Sequence, residues 1–215
     1  LVLGVPDDRY DDVVATLKHE ISVKYDNHLN TGIFGTQFFF ETLALNGLND
    51  IAYNAMNQED FPSFGNWIKQ GATVTWEKWN GADSRNHPMF GGGLTWFYRI
   101  LAGVNVDAER PAYEHIIIKP ILDKRLPEVY YSHMTPYGEV VSEIRQTGRN
   151  LEMNVTVPVG STATIYIPVG GNTSEVTESG ISVRDSKDVR FERIQDGNCI
   201  VRVPQGKYKF KVDNQ

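Results

Sequence analysis

The sequence has little cysteine, no excess of positive charge and no long apolar run. Its 215 residues include one cysteine, Cys199, which cannot form a disulfide within the chain. The 21 lysines and arginines are outnumbered by 27 aspartates and glutamates, which gives a net charge of −6. Binding to nucleic acid needs a basic surface, so no nucleic-acid partner is expected. A membrane-spanning helix needs about 20 consecutive apolar residues, and without such a run we expect no membrane insertion.

Patterns that bind metals or nucleotides are also missing. His19, His28, His115 and His133 have no metal-ligand spacing with one another or with Cys199. The chain contains no phosphate-binding loop, no dinucleotide fingerprint and no nucleophile elbow. The sequence therefore predicts neither a metal site nor another cofactor.

The first half of the chain has the apolar periodicity of helices. With 40% hydrophobic and 22% charged residues, the chain can bury a core. Apolar residues at helical spacing predict four helices, over residues 8–25, 36–46, 50–57 and 88–103. The first is expected to bury Tyr10, Val14, Leu17 and Ile21, and the last Leu94, Phe97, Tyr98 and Leu101. Between the third and fourth helices, residues 61–93 form an irregular segment, which in a compact domain is usually functional.

In the second half the apolar period changes to two. The alternation predicts strands over residues 115–119, 139–144, 151–157, 162–167 and 207–212. Turn signals separate them at residues 136–138, 148–150, 170–172 and 196–198. Many short strands at this spacing predict an antiparallel β-sandwich. We therefore expect two domains, a helical one over 1–105 and a C-terminal β-sandwich over 106–215.

The first six residues resemble the last turn of a helix, with Gly4 at the C-cap and Pro6 after it. The helices that follow have apolar faces to bury. Together these features predict that the chain is a fragment of a larger helical domain. The missing N-terminal part of the same polypeptide is then an expected partner.

The densest candidate for chemistry is residues 71–81, in which Glu77 lies between Trp76 and Trp79. Indole faces are flat apolar platforms on which sugar rings stack, and a neighbouring carboxylate can accept a proton from water. This combination is typical of glycoside chemistry. The alternative is that both tryptophans anchor the core and Glu77 is a solvated surface group, since aromatic residues are more often core than site.

A second candidate cluster leads into the fourth predicted helix. Pro88 suits the first helical position, so Asn86 or His87 would lie at the cap. At a helix N-terminus the neutral imidazole is favoured, and a neutral ring can donate a hydrogen bond to a sugar hydroxyl. His87 is therefore either a sugar-binding residue or only a cap.

These segments, in this order, resemble the C-terminal part of bacterial α-L-rhamnosidases of glycoside hydrolase family 78. The matching stretches are residues 31–36, 61–68 with 71–79, 86–91 with 96–99, and 102–104 with the β-rich tail. The resemblance implies an (α/α)6 catalytic barrel, of which residues 1–105 are the last helices, followed by a C-terminal β-sandwich.

The same resemblance implies hydrolysis of terminal α-L-rhamnosyl linkages with inversion, on a rhamnose-containing glycan or glycoside. Glu77 matches the general base of the family, and His87 matches a histidine that contacts the sugar. Trp76, Trp79 and Asn86 complete the expected substrate-binding set. The general acid of the family lies in earlier barrel helices that this chain lacks, so the 215 residues alone are expected to be inactive.

Two other functions compete with this interpretation. The chain could be a carbohydrate-binding or structural β-sandwich module without catalysis of its own. It could also belong to a different (α/α)6 glycosidase or to a lyase.

Overall fold

A computed structural model describes residues 1–169 and 175–213, so the predicted turn at 170–172 lies outside the described residues. The chain divides into two compact units, Leu1–Trp96 and Phe97–Gln215. The domain bounds 1–105 and 106–215 stay a prediction, because a division by packing does not by itself define independently folding domains. Within the described residues, no helix has the length and apolar character needed to cross a membrane.

The first unit is helical. A 3-10 turn at Asp7–Arg9, helix α1 and a π turn at Glu20–Lys24 form one continuous helical segment, as predicted. The next two helices also match their predicted ranges to within a residue or two, and a short helix α4 follows them. Their bounds are α1 Tyr10–His19, α2 Thr36–Leu45, α3 Asn49–Met56 and α4 Phe64–Lys69.

Helix α2 ends where the sequence predicts, at Gly47. This glycine has a φ of +72°, a conformation that a side chain disfavours. The N–H groups of Gly47 and Leu48 donate to the carbonyls of Ala44 and Leu43, at 3.2 and 2.8 Å, which satisfies the last turn of the helix. The chain then reverses into α3, and apolar residues of both helices are buried: Phe40, Leu43, Ala44, Ile51, Ala52 and Ala55.

Three details of the helical prediction are wrong. The irregular segment 61–93 contains helix α4, capped by Ser63, whose Oγ accepts the Asn66 N–H at 2.9 Å. Tyr10 is exposed, because its hydroxyl donates to Asn46 Oδ1 instead of packing in the core. The fourth helix is a 3-10 helix at Pro88–Leu94 followed by a π turn at Trp96–Leu101.

This irregular helix changes which residues are buried. Phe90, Trp96 and Ile100 are buried, whereas Leu94 and Phe97 are 44% and 45% exposed, contrary to the prediction. Leu94 lies in the 3-10 helix, which has about three residues per turn, and Phe97 lies in the wider π turn, so neither follows the α-helical stripe. Gly92 and Gly93 allow the close approach to α2, since a Cβ on Gly92 would lie 2.5 Å from Gln37 Cβ.

The second unit is a β-sandwich, and all five predicted strands are confirmed. Strands β1, β3 and β7–β10 were not predicted. The bounds are β1 Val104–Val106, β2 His115–Ile118, β3 Glu128–Thr135, β4 Gly138–Thr147, β5 Asn150–Val157, β6 Thr162–Pro168, β7 Glu175–Glu178, β8 Ile181–Ser182, β9 Arg190–Gln195, β10 Asn198–Val203 and β11 Gly206–Asp213. The five-stranded sheet has the order β1-β2-β6-β10-β9 and the six-stranded sheet the order β3-β4-β5-β11-β7-β8.

Pairing within both sheets is antiparallel except between β2 and β6, which run parallel. Inward residues of the two sheets form one apolar core, to which Ile116 and Ile165 contribute from one sheet and Met153 and Phe210 from the other. In β4, β5 and β11 buried inward residues alternate with more exposed outward ones, which is the pattern of a sheet with one solvated face. Strands β2, β6 and β10 of the other sheet are buried over most of their length and do not alternate in this way.

Candidate functional site

The segment after α4 folds back on itself and brings the predicted site residues into one loop. The His87 N–H donates to the Thr75 carbonyl at 2.8 Å, and Thr75 Oγ1 donates to the His87 carbonyl at 2.6 Å. Closer to the tip, the Glu77 N–H donates to the Ser84 carbonyl at 2.8 Å. These bonds close a loop over residues 75–87, the site loop, which carries the candidate carboxylate.

Glu77 is half-buried and lines a cavity of about 280 Å³. One carboxylate oxygen, Oε2, accepts the Ser84 N–H at 3.2 Å. The cavity is lined by Gly32, Phe61, Glu77, Lys78, Trp79, Asn80 and Phe90. A proton acceptor therefore faces a concave surface with an aromatic wall.

Trp79 is the predicted indole that lines the cavity. Its Nε1–H donates to the Thr31 carbonyl at 2.8 Å, and its own carbonyl accepts the Trp67 Nε1–H at 2.9 Å. The ring centroid of Trp79 lies 4.3 Å from that of Phe90. These contacts fix the orientation of the indole from two sides, which a rigid stacking platform requires.

Trp76 has a different environment from Trp79. It is 3% exposed, packs beside Trp67 with a centroid distance of 5.5 Å, and is not among the residues that line the cavity. The Arg85 guanidinium carbon lies 4.6 Å from the ring centroid of Trp76. Gly81 has a φ of +73°, and a Cβ there would lie 2.8 Å from Trp76 Cζ3. Trp76 thus supports the site loop from within the core.

His87 is the N-cap of the 3-10 helix that starts at Pro88. Its Nδ1 accepts the Met89 N–H at 3.5 Å, so a neutral ring carries its proton on Nε2. Asn86 is exposed, and its backbone N–H donates to Ser84 Oγ at 3.2 Å. The cavity therefore brings Glu77 and Trp79 together, whereas the described side chains of Asn86, His87 and Trp76 are not part of its lining.

Five residues that line the cavity were not predicted as site residues: Gly32, Phe61, Lys78, Asn80 and Phe90. A signal existed for most of them, because Gly32, Phe61, Lys78 and Phe90 lie in the stretches that carry the family resemblance. Their convergence on one cavity depends on tertiary packing, which spacing along the chain does not report.

An ionic contact joins the two segments that carry Gly32 and Phe61. His28 Nε2 lies 2.9 Å from Asp60 Oδ1, and His28 Nδ1 lies 3.0 Å from the Tyr25 carbonyl. Burial is the largest single influence and lowers the pKa of His28, but the hydrogen bonds with Asp60, Tyr25 and Asp26 and the charge of Asp60 raise it, and the net shift of that pKa is upward. The hydrogen bond from His28 is the main reason that the pKa of Asp60 is lowered.

The chemistry available at the cavity is proton transfer beside a stacking surface. Within residues 1–169 and 175–213, no three His, Cys, Asp or Glu side chains converge as metal ligands. The described acceptor on the wall is a carboxylate, and the platform beside it is an indole that can hold the apolar face of a sugar ring.

The fold is that of a helical six-hairpin domain followed by an antiparallel-rich β domain. Residues 1–101 match the model of the bacterial alpha-L-rhamnosidase 6 hairpin glycosidase domain, and residues 103–182 match that of the bacterial alpha-L-rhamnosidase C-terminal domain. The chain belongs to the bacterial α-L-rhamnosidase family, which confirms the resemblance seen in the sequence.

Individual relatives agree with this assignment. An alpha-L-rhamnosidase of Formosa agariphila is 30% identical in an alignment of 198 residues that covers 87% of this chain and 21% of that protein. The structure of alpha-L-rhamnosidase from Dictyoglumus thermophilum is 34% identical, with a TM-score of 0.87 over 98% of this chain and 24% of that one. The Streptomyces avermitilis alpha-L-rhamnosidase complexed with L-rhamnose is 27% identical, with a TM-score of 0.85, and the match covers 97% and 20% of the two chains.

The chain spans about a fifth of the length of the curated relatives that it matches, 21% and 22% for two of them.

Proposed function

We propose that this chain is the C-terminal part of an inverting α-L-rhamnosidase, which releases terminal α-L-rhamnose from a glycan or glycoside, and that Glu77 is its general base. The observation that carries the proposal is the half-buried carboxylate of Glu77 on the wall of a cavity that Trp79 also lines. Family membership makes a rhamnoside the expected substrate.

The hydrogen bonding of Glu77 supports the role of a base. Because Oε2 accepts the Ser84 N–H, the carboxylate has a defined orientation while its other oxygen keeps capacity to accept a proton from water. In an inverting reaction this water attacks the face of the sugar opposite the leaving group. The two carboxyl groups of such enzymes are about 6.5–9.5 Å apart, which leaves room for the water.

The second carboxyl group, the general acid, belongs in this proposal to a part of the protein outside these 215 residues. A general acid contributes about 10²–10⁴ in rate, so the chain alone should show little turnover. Its N-terminal neighbour in the same polypeptide is then the partner that completes the site.

The remaining site residues are proposed to bind or frame the sugar. The flat indole of Trp79 suits stacking against the apolar face of a rhamnosyl ring. The Nε2–H of His87 can donate to a sugar hydroxyl while Nδ1 accepts the Met89 N–H, and the exposed amide of Asn86 can add a further hydrogen bond. The burial of Trp76 favours an indirect contribution to substrate binding, through the support of the site loop.

The test is to follow the hydrolysis of an aryl α-L-rhamnoside by proton NMR. The complete protein that carries this chain should release β-L-rhamnose first, and the anomers should equilibrate later. The 215-residue chain at the same concentration should release none. Initial release of α-L-rhamnose would refute inversion, and an unsaturated product would indicate a lyase. Binding of rhamnose without hydrolysis by the complete protein would favour a carbohydrate-binding module.

A further inference from the structure

The loop that carries Glu77 also carries an ammonium group directly beside it in the sequence. Lys78 Nζ lies 2.5 Å from Asp83 Oδ2, and the two side chains are 58% and 53% exposed. The hydrogen bond with Asp83, followed by the charge of that carboxylate, raises the pKa of Lys78. Both residues lie in the part of the site loop between Glu77 and Ser84, so their ion pair closes the same turn as the Glu77–Ser84 hydrogen bonds.

An unpaired ammonium at position 78 would weaken a base at position 77. A cation beside a carboxylate favours its charged form and competes for the oxygen that must accept a proton from water. The charge of Glu77 is among the influences that raise the pKa of Lys78, so the two groups interact across this turn. Asp83 holds the Lys78 ammonium in an ion pair that does not include Glu77.

Asp83 also contributes to the turn through its backbone. It has a φ of +61°, in the left-handed region that aspartate and asparagine tolerate better than most residues. The next residue, Ser84, presents its N–H to Glu77 Oε2. Asp83 therefore pairs with the Lys78 ammonium, and it directly precedes Ser84, whose N–H orients the Glu77 carboxylate.

The other charged or titratable groups of the site loop are engaged elsewhere. The Arg85 guanidinium stacks on Trp76, and its Nε donates to the Gly81 carbonyl at 3.1 Å. His87 Nδ1 accepts the Met89 N–H. Loss of the Asp83 carboxylate would therefore leave the Lys78 ammonium without its ion-pair partner in this loop.

We propose that Asp83 is a positioning residue for the base: it keeps the Lys78 ammonium away from Glu77 and sets the turn that orients the Glu77 carboxylate. This inference rests on the proposed function of Glu77. It adds a residue that is not itself among those that line the cavity, although it contacts Lys78, and that does not touch the sugar in the proposed mechanism.

The test uses Asp83→Asn in the complete protein, because asparagine keeps the shape and tolerates the same φ but removes the charge. The acidic limb of the kcat/KM profile against pH should move to lower pH by about 0.2–0.7 unit, the range that corresponds to an exposed ion pair. The plateau of kcat should fall by a factor of about 2–5 for the same reason. Asp196→Asn is the matched control, since Asp196 is exposed with a φ of +49° but lies in the β-sandwich unit.

Lys78→Gln combined with Asp83→Asn distinguishes positioning from a general loss of structure. Without the ammonium, the double variant should regain the native acidic limb and most of kcat, whereas a merely structural role predicts that it stays as impaired as Asp83→Asn. An unchanged profile in Asp83→Asn, or no recovery in the double variant, would overturn the inference. If Glu77→Gln retains native turnover, the proposed function fails instead, so the two failures are distinguishable.

Discussion

Thr75 and His87 are joined by two hydrogen bonds, in which each residue donates to the backbone carbonyl of the other at 2.6 and 2.8 Å. This pair closes the base of the site loop. Glu77 lies two residues after Thr75, and His87 begins the 3-10 helix that packs on α2. The pair therefore couples the orientation of the proposed base to that of the proposed sugar-binding histidine.

Thr75→Val should loosen this coupling, because valine keeps the branched shape but cannot donate to the His87 carbonyl. We expect a loss of about 1 kcal/mol in the free energy of unfolding, the usual contribution of one intramolecular hydrogen bond. In the complete protein the KM for an aryl rhamnoside should rise. Thr73→Val, at an exposed position of the same segment, is the control and should change neither quantity.

Gly81→Ala should destabilise the site loop more than the same change at Gly71. Both glycines have a positive φ, +73° and +82°, so alanine is strained at either position. A Cβ on Gly71 meets no atom within 4 Å, whereas at Gly81 it would lie 2.8 Å from Trp76 Cζ3. We expect Gly71→Ala to lower the free energy of unfolding by about 1 kcal/mol, from backbone strain alone. Gly81→Ala should lower it by about 1–3 kcal/mol more, because the added methyl group overpacks against Trp76.

Chemical unfolding of the two glycine variants measures this difference directly. Equal losses would mean that Trp76 does not form a rigid support beneath Gly81.

His28 should make the first unit more stable at acidic than at alkaline pH. Its pKa in the folded state is raised above the ordinary value of 6.5, so its contribution is complete below 6.5 and is lost as the pH rises through the folded-state pKa. The stability of His28→Gln should therefore decrease less than that of the native chain as the pH rises above neutral. Thermal unfolding across this range, compared between the native chain and the variant, measures the effect.

His115 has the opposite effect on the pH dependence of stability, so it is left unchanged in both proteins of that comparison. Burial, followed by the charge of Arg110, lowers the pKa of His115, so its contribution is lost as the pH falls below 6.5. Since His115 is present in both proteins, its effect cancels in the difference. The same pH dependence in native chain and His28→Gln would contradict the proposed charge pair with Asp60.

Cys199 should be unreactive until the β-sandwich opens. Its side chain is 1% exposed, and burial raises the pKa of the thiol to about 11. Since the thiolate is the reactive form, labelling of the native chain by a disulfide reagent should be at least about 100-fold slower than that of the denatured chain. Rapid and complete labelling under native conditions would contradict the burial of Cys199.

Local sequence signals predicted the structure correctly where it depends on only a few neighbouring residues. Gly47 ends α2 as predicted, and the turn at Asp196 and Gly197, with φ values of 49° and 71°, connects β9 to β10 as a hairpin. The helix starting at Pro88 was assigned the wrong period, because Gly92 and Gly93 are drawn close to α2, a tertiary effect that overrides the local α-helical stripe.

Within the candidate site, the sequence could not distinguish the two indoles. Trp76 and Trp79 flank Glu77 almost symmetrically along the chain, yet Trp76 is buried under Arg85 and Trp79 lines the cavity. The reversal of the chain between Thr75 and His87 causes this difference. No spacing rule reports such a reversal, because it depends on hydrogen bonds between residues twelve positions apart.

The turnover of Glu77→Gln in the complete protein tests whether Glu77 is the general base. Glutamine keeps the shape of the side chain and can still accept the Ser84 N–H, but it cannot take a proton from water. We predict that kcat for an aryl α-L-rhamnoside falls by about 10²–10⁴ while KM stays within a few-fold of the native value. Glu59→Gln, an exposed carboxylate of the same unit, should keep the native rate. Native turnover in Glu77→Gln would contradict the assignment of Glu77 as the general base.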